Sequence, residues 1–284
     1  MEQINKSQNP LAGFFRQPKI YISLPSKGKF YPEGALDQPD SGEYPVYAMT
    51  AKDELLFKTP DALMNGSATV EVIKSCVPAI KDPWAMPSID LDAVLIAIRL
   101  ATYGPEMEVT TTCPSCGEDD EKAADLRVLL DNLRGLEFEE KIEIGTDMVV
   151  FIKPMAYSEI SKTSIRTMEQ QRIFSIVNDD SISEEDKVKL FQQSFIKLTD
   201  ITMDVVAECI SKIETNQGST DNKQFIKEFL QNTDRKVFDL VNERVKSMQV
   251  KSKMKALDTT CAHCNHPYKL EVNFDQSDFF AVGS

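Results

Sequence analysis

The chain has 284 residues, of which 42% are hydrophobic and 27% charged, proportions that supply a folded core and exclude a wholly disordered chain. Its 45 acidic against 32 basic side chains leave a net charge of −13, which repels phosphate backbones and argues against general nucleic-acid binding. No uncharged apolar run reaches bilayer-spanning length, and residues 1–6 lack the basic and apolar regions of a secretory signal, so a cytosolic or intracellularly assembled protein is expected.

Residues 1–19 read as a flexible arm carrying three apolar anchors, Leu11, Phe14 and Phe15, which dock on a partner or pack on the chain's own domain. Ile20-Tyr-Ile-Ser-Leu-Pro predicts a short strand, and the Gly- and Pro-rich segment from Ser26 to Gly34 a turn. A polar loop over 37–45 leads to a second short strand at 46–49. The stretch 50–103 reads as mostly helical. Thr59 before Pro60 has the pattern of an N-cap with Pro at the first helical position. Residues 67–77 form a helix stopped by Pro78, and 81–88 a loop marked by Pro83, Trp84 and Pro87. In 89–102, Leu91, Val94, Leu95 and Ile98 fall on one helical face, and Gly104 with Pro105 ends the helix.

From Met107 the pattern turns to β, leading into Cys113-Pro-Ser-Cys116. The acidic residues 118–121 read as a solvated turn, followed by a strand near 122–126 and a helix near 127–134. The segments 141–144 and 148–153, separated by Gly145-Thr-Asp, predict a hairpin. Residues 157–248 read as helical. Val188, Phe191, Phe195 and Leu198 step by 3, 4 and 3, and Val206, Cys209, Ile210 and Ile213 also fit one helical face. The polar breaks at 178–181 and 216–220 read as interhelix loops. The end returns to β character around Cys261-Ala-His-Cys264 and residues 268–274.

The two C-x-x-C segments resemble each other: Val-Thr-Thr-Thr-Cys-Pro-Ser-Cys-Gly and Leu-Asp-Thr-Thr-Cys-Ala-His-Cys-Asn. A tight C-x-x-C turn supplies two thiolates, and two such turns complete the tetrahedral set that Zn²⁺ prefers. Cys113, Cys116, Cys261 and Cys264 are therefore expected to bind one structural Zn²⁺. A closed Cys₄ set leaves no open coordination position for water or substrate. His263 and His266, the chain's two histidines, sit beside the second turn but are not needed as ligands. Between Cys116 and Cys261 lie 144 residues (117–260), far more than a local zinc ribbon holds, so a domain must be inserted between its halves. Charge supports the pairing: residues 106–125 carry seven acids and one base, and 244–270 six bases and one acid. Cys76 and Cys209, alone among apolar neighbours, read as small core residues.

The expected fold is thus α+β and mainly helical, with a small split Cys₄ zinc-ribbon-like β module whose halves flank an inserted helical domain. The divisions are an arm (1–19), an α/β region with the first knuckle (20–154), the inserted helical domain (155–250), and the second knuckle with a C-terminal strand (251–284). No P-loop, G-x-G-x-x-G or H-E-x-x-H pattern occurs, and both histidines lie at the knuckle, so no catalytic residue is assigned and a non-enzymatic protein is expected.

Three strings carry a resemblance: Ser23-Leu-Pro-Ser-Lys-Gly-Lys-Phe-Tyr-Pro, Met49-Thr-Ala-Lys-Asp-Glu-Leu-Leu-Phe-Lys-Thr-Pro-Asp-Ala-Leu-Met-Asn-Gly, and Ile80-Lys-Asp-Pro-Trp-Ala-Met-Pro-Ser-Ile-Asp-Leu-Asp. Over about residues 20–130 and at the second knuckle, the chain resembles the T4-type phage baseplate proteins linked to the hub and its assembly. The resemblance implies a baseplate component or a hub assembly factor of a contractile tail, present in the host cytoplasm during assembly or in the virion. Its implied partners are other baseplate and hub proteins. No membrane, small-molecule substrate or nucleic acid is implied. The arm anchors and the stiff loop carrying Trp84 and Met86 are the expected partner-binding residues, the alternative for Trp84 being a cap on the chain's own core. A zinc-ribbon nucleic-acid-binding regulator is the competing reading, resting on Lys246, Lys251, Lys253, Lys255 and Lys269.

Overall fold

The computed structural model describes residues 11–59, 62, 65–134, 137–177, 183–251 and 256–270. Strand β1 (Pro18–Ile22) pairs antiparallel with β2 (Tyr44–Tyr47), and their alternation turns Ile22, Tyr44 and Val46 inward. Helix α1 (Ala51–Phe57) starts on a capping box: the Thr50 hydroxyl accepts the Asp53 N–H, and the Asp53 carboxylate accepts the Thr50 N–H at 2.8 Å. This start was not picked out in the sequence. The start expected at Thr59-Pro60 falls at Pro60, outside the described residues.

Helix α2 (Ser67–Cys76) is preceded by Gly66 at φ +79°, where a Cβ would lie 2.9 Å from the Tyr157 hydroxyl. Both the left-handed backbone and the close approach require glycine here. Helix α3 (Ser88–Tyr103) is apolar nearly all round. Its buried apolar residues Leu91 and Ala93 to Ile98 make it the centre of the first core, as a helix apolar on most of its surface should be. Gly104 ends it.

Strands β3 (Glu106–Thr112) and β4 (Asp119–Asp125) form a hairpin. Helix α4 (Leu126–Arg134) follows, burying Leu126, Leu129, Leu130 and Leu133 in the first core at helical spacing, each worth about 2 kcal/mol of apolar burial.

A second core begins at the β5 (Lys141–Ile144) and β6 (Met148–Ile152) hairpin. The chain then runs out along α5 (Tyr157–Val177) and back along α6 (Glu184–Cys209). It adds β7 (Ile210–Thr215) and β8 (Gly218–Thr220) to give an antiparallel sheet in the order β5-β6-β7-β8. Helices α7 (Lys223–Asn232) and α8 (Arg235–Lys251) complete this core with Ile226, Leu230, Val241, Val245 and Met248. Finally β9 (Leu257–Thr260) and β10 (Pro267–Leu270) form a hairpin that returns Leu257 and Leu270 to the first core. Among the described residues, no helix is long and apolar enough to cross a membrane.

The architecture is α+β, as expected, with three corrections. The 155–250 stretch is not purely helical, because α6 ends at Cys209 and Ile210 and Ile213 lie on β7. The break at 216–220 is the turn and return strand of a β-hairpin. The hairpin at 141–152, expected with the N-terminal region, packs in the second core.

The two cores meet where Pro87 bridges Ala156. There the Ser88 N–H donates to Met155 O at 2.8 Å and the Tyr157 N–H to Met86 O at 2.9 Å.

Candidate metal centre

The two knuckles are the same local structure built twice. In the first, the Cys113 N–H donates to Glu118 O at 2.9 Å and the Gly117 N–H to Cys113 O at 2.9 Å. In the second, the Cys261 N–H donates to His266 O and the Asn265 N–H to Cys261 O, both at 3.0 Å. The residue after each turn is left-handed: Gly117 at φ +75° and Asn265 at φ +56°, the two residue types that tolerate it best. The flanking registers correspond too, with Thr112 opposite Asp119 and Thr260 opposite Pro267.

These turns face one another. The Cys113 and Cys264 Sγ atoms lie 3.7 Å apart, as do those of Cys116 and Cys261. All four Sγ atoms fall within 4.8 Å of one another. A tetrahedral Zn²⁺ with Zn–S bonds of about 2.3 Å has S···S edges of about 3.8 Å, so the donor set fits the ion.

The knuckle amides favour the thiolate at the first cysteine of each turn. The Ser115 N–H points at Cys113 Sγ (3.4 Å) and the His263 N–H at Cys261 Sγ (3.3 Å). The Cys116 amide, with that of Ser115, brings the Cys113 thiol down to about 7. The Cys264 amide, with that of His263, lowers Cys261 likewise. Cys116 goes the other way: against the lowering Glu118 backbone hydrogen bond, burial and the neighbouring thiols push it up to about 12. Outside the centre, burial pushes Cys76 and Cys209 up to about 12, which keeps them neutral core thiols.

One contributor was misread in the sequence. The acidic residues expected as a solvated turn lie partly on β4, where Asp120 is buried. Its carboxylate accepts the Ala262 N–H of the opposite knuckle at 2.9 Å and pairs with Lys122 at 2.6 Å. The hydrogen bond from Lys122, then that from Ala262, holds the Asp120 carboxyl below the usual carboxylate range. Its one sequence signal was a position seven residues past the first knuckle cysteine, on the strand leaving the turn. His263 and His266 are exposed and do not join the cysteine cluster.

The expected partner-binding residues separate into two groups. Leu11, Phe14 and Phe15 stand on the surface, with Phe14 86% exposed. They project beside Arg16, which donates to Ala48 O and Ser75 O, both at 2.5 Å. Met86 is fully buried in the first core, and Trp84 packs partly buried against that core while stacking on Tyr157 at 5.6 Å. Both are corrected from surface anchors to internal packing, because the short turn at Pro83–Ala85 aims them inward at the junction of the cores.

The described fold defines a two-core scaffold whose first core is rejoined by the end of the chain at a four-cysteine centre. The family model described as T4 bacteriophage base plate protein matches residues 17–281, and the chain belongs to that family. No curated protein and no solved structure matches the chain.

Proposed function

We propose that this protein is a non-enzymatic component or assembly factor of the hub region of a contractile-tail phage baseplate. In this reading Cys113, Cys116, Cys261 and Cys264 hold one structural Zn²⁺. The observation that carries the zinc assignment is the convergence of four thiols, from turns 144 residues apart (117–260), at the spacing of a tetrahedral sulfur set. A bound ion would close that long loop, converting binding energy into folding energy. The baseplate assignment rests on the family match across nearly the whole chain. The exposed arm residues Leu11, Phe14 and Phe15 supply the surface for a baseplate partner, because clustered exposed aromatics mark protein contacts.

The test is affinity purification of the tagged chain from infected cells, together with mass spectrometry of purified virions. The reading expects recovery of hub or baseplate proteins. Stoichiometric presence in virions identifies a component, and absence with capture an assembly factor. A chain that captures no baseplate protein and is missing from virions contradicts the reading.

A further inference from the structure

The turn from Ser26 to Phe30 belongs to the first core by its base and touches the second by its tip. At the base, the Ser26 N–H and hydroxyl both donate to the Asp90 carboxylate on α3, at 2.7 and 2.5 Å. At the tip, Lys29 Nζ lies 3.2 Å from the Glu140 carboxylate, and the Phe30 ring meets Phe138 edge to face with centroids 5.4 Å apart. Phe138 packs against the second core, and Glu140 O accepts the Ile152 N–H of β6 at 2.7 Å. The turn makes this reach in an uncommon backbone. Lys27 and Phe30 have φ of +55° and +70°, two of the three left-handed non-glycine residues among those described. A phenylalanine stays in that region because its surroundings hold it there.

The seam between the cores has a firm side and a weak side. On the firm side, Ser88 and Tyr157 donate backbone hydrogen bonds to Met155 and Met86, and the Ser161 hydroxyl donates to Asn65 O at 3.0 Å. Tyr157 also stacks on Trp84. On the weak side stand the Lys29–Glu140 pair, 65% and 41% exposed, and the Phe30–Phe138 contact. An exposed ion pair and a single aromatic pair each contribute little. Packing between the two sides is incomplete. A void of about 20 Å³ is lined by Ile89 of α3 and by Phe138, Ile152, Met155, Cys209 and Met248 of the second core. A crevice of about 290 Å³ lies beneath the turn, and Ile89 and Phe138 form part of its wall as well. Side chains that border a void forgo contacts, so such a seam parts more readily than a filled one.

We propose that the Ser26–Phe30 turn is a clasp, whose release lets the two cores part along this seam while Met86–Ser88 and Met155–Tyr157 act as the hinge.

Local opening follows the weakest contacts. Release takes the Phe30 ring off Phe138, frees the left-handed turn to relax, and joins the void and the crevice into one apolar cleft. The hinge keeps its backbone hydrogen bonds throughout. Cys209 reports the movement, because it lines the void and is 3% exposed in the closed form. A reagent reaches its thiol when the seam parts. Cys76, 0% exposed in the first core, is the internal control for wider unfolding.

The experiment is pulsed alkylation of the full chain with N-ethylmaleimide, each cysteine followed by peptide mass spectrometry. It compares wild type, Phe30→Ala and Lys29→Glu, with circular dichroism as the check on folding. Phe30→Ala is expected to label Cys209 roughly tenfold faster than wild type, and Lys29→Glu about threefold faster, with Cys76 unchanged in both. Phe30→Ala decides the matter where it folds, and Lys29→Glu decides it otherwise. A folded deciding variant that labels Cys209 at the wild-type rate overturns the proposal. So does an equal acceleration of Cys76, which reports unfolding of the whole chain rather than parting of the seam.

Discussion

The carboxylate of Asp120 accepts the backbone N–H of Ala262 at 2.9 Å, tying together two turns that are 142 positions apart in the chain. The contact is made between protein groups alone and aligns the second knuckle on the first. A side chain that orients a ligand-bearing turn typically changes metal affinity by about 10- to 100-fold when removed. Asp120→Ala is therefore expected to release zinc to a chromophoric chelator at least tenfold faster than wild type, with Asp120→Asn in between because its amide oxygen still accepts. Unchanged release from Asp120→Ala would remove this residue from the centre.

Asp90, fully buried at the start of α3, accepts the Ser26 N–H at 2.7 Å, the Ser26 hydroxyl at 2.5 Å and the Tyr31 hydroxyl at 3.0 Å. These bonds hold the Ser26 turn onto the helix. Burial raises the Asp90 carboxyl to about 6, although the three donors pull the other way. A carboxyl raised in the folded state stabilises the fold fully below its unfolded value, and that stability is lost as pH rises through about 6. Between pH 4 and pH 6.5 the native state should therefore lose roughly 2 kcal/mol through this group. Denaturant titrations of wild type and Asp90→Asn across that range measure the difference, which should be absent from the variant. Parallel pH profiles for the two proteins would show that Asp90 titrates normally.

Trp84 stacks on Tyr157 in the first core, beside its junction with the second, ring centroids 5.6 Å apart and planes 17° from parallel. Trp84→Ala removes the stack and a partly buried indole, and about 3 kcal/mol of stability should go with it. The same variant should capture baseplate partners as well as wild type once folded. Unchanged melting with weakened capture would return Trp84 to the surface role expected from sequence.

Among the described residues of the arm, Arg16 ties it to the first core's helices. Besides its carbonyl contacts, the Arg16 guanidinium donates to the Ser75 hydroxyl at 2.8 Å and lies 3.5 Å from the Asp53 carboxylate. Removing residues 1–15 should leave the melting curve within about 0.5 kcal/mol of wild type, because Phe14 and Phe15 bury little, while weakening partner capture. Arg16→Ala should cost about 1–3 kcal/mol, since it strips charge-assisted hydrogen bonds. A deletion that destabilises the chain as much as Arg16→Ala would mean that the arm packs on its own domain.

What the sequence showed depended on how local each signal was. The knuckles were legible because C-x-x-C with a left-handed residue after it is a closed pattern of five residues, repeated once. Helix α3 was legible because Gly104 and Pro105 mark its end. Strand β7 was not. Its buried residues Ile210 and Ile213 are three apart because the register with β6 slips between Phe151 and Ile152, and a bulged strand with buried positions three apart imitates a helical face. On α6, Val188, Phe191 and Phe195 have a helical period and yet are exposed, since periodicity reports that a face is apolar and not what covers it. Asp120 was read as solvated because an acidic run normally is, and its partner Ala262 lies 142 positions away. The inward aim of Trp84 and Met86 depends on Tyr157 and the first core, which the loop's own sequence does not reveal.

The central claim is that the four cysteines hold one zinc ion, and X-ray absorption at the zinc edge tests it most directly. Protein purified without added metal should contain one zinc per chain, with four sulfur neighbours at about 2.3 Å and no nitrogen or oxygen neighbour. Cys116→Ser and Cys264→Ser should each lose the ion and melt earlier. A fully stable wild type without zinc, or a zinc site with nitrogen or oxygen in its inner shell, would contradict the account.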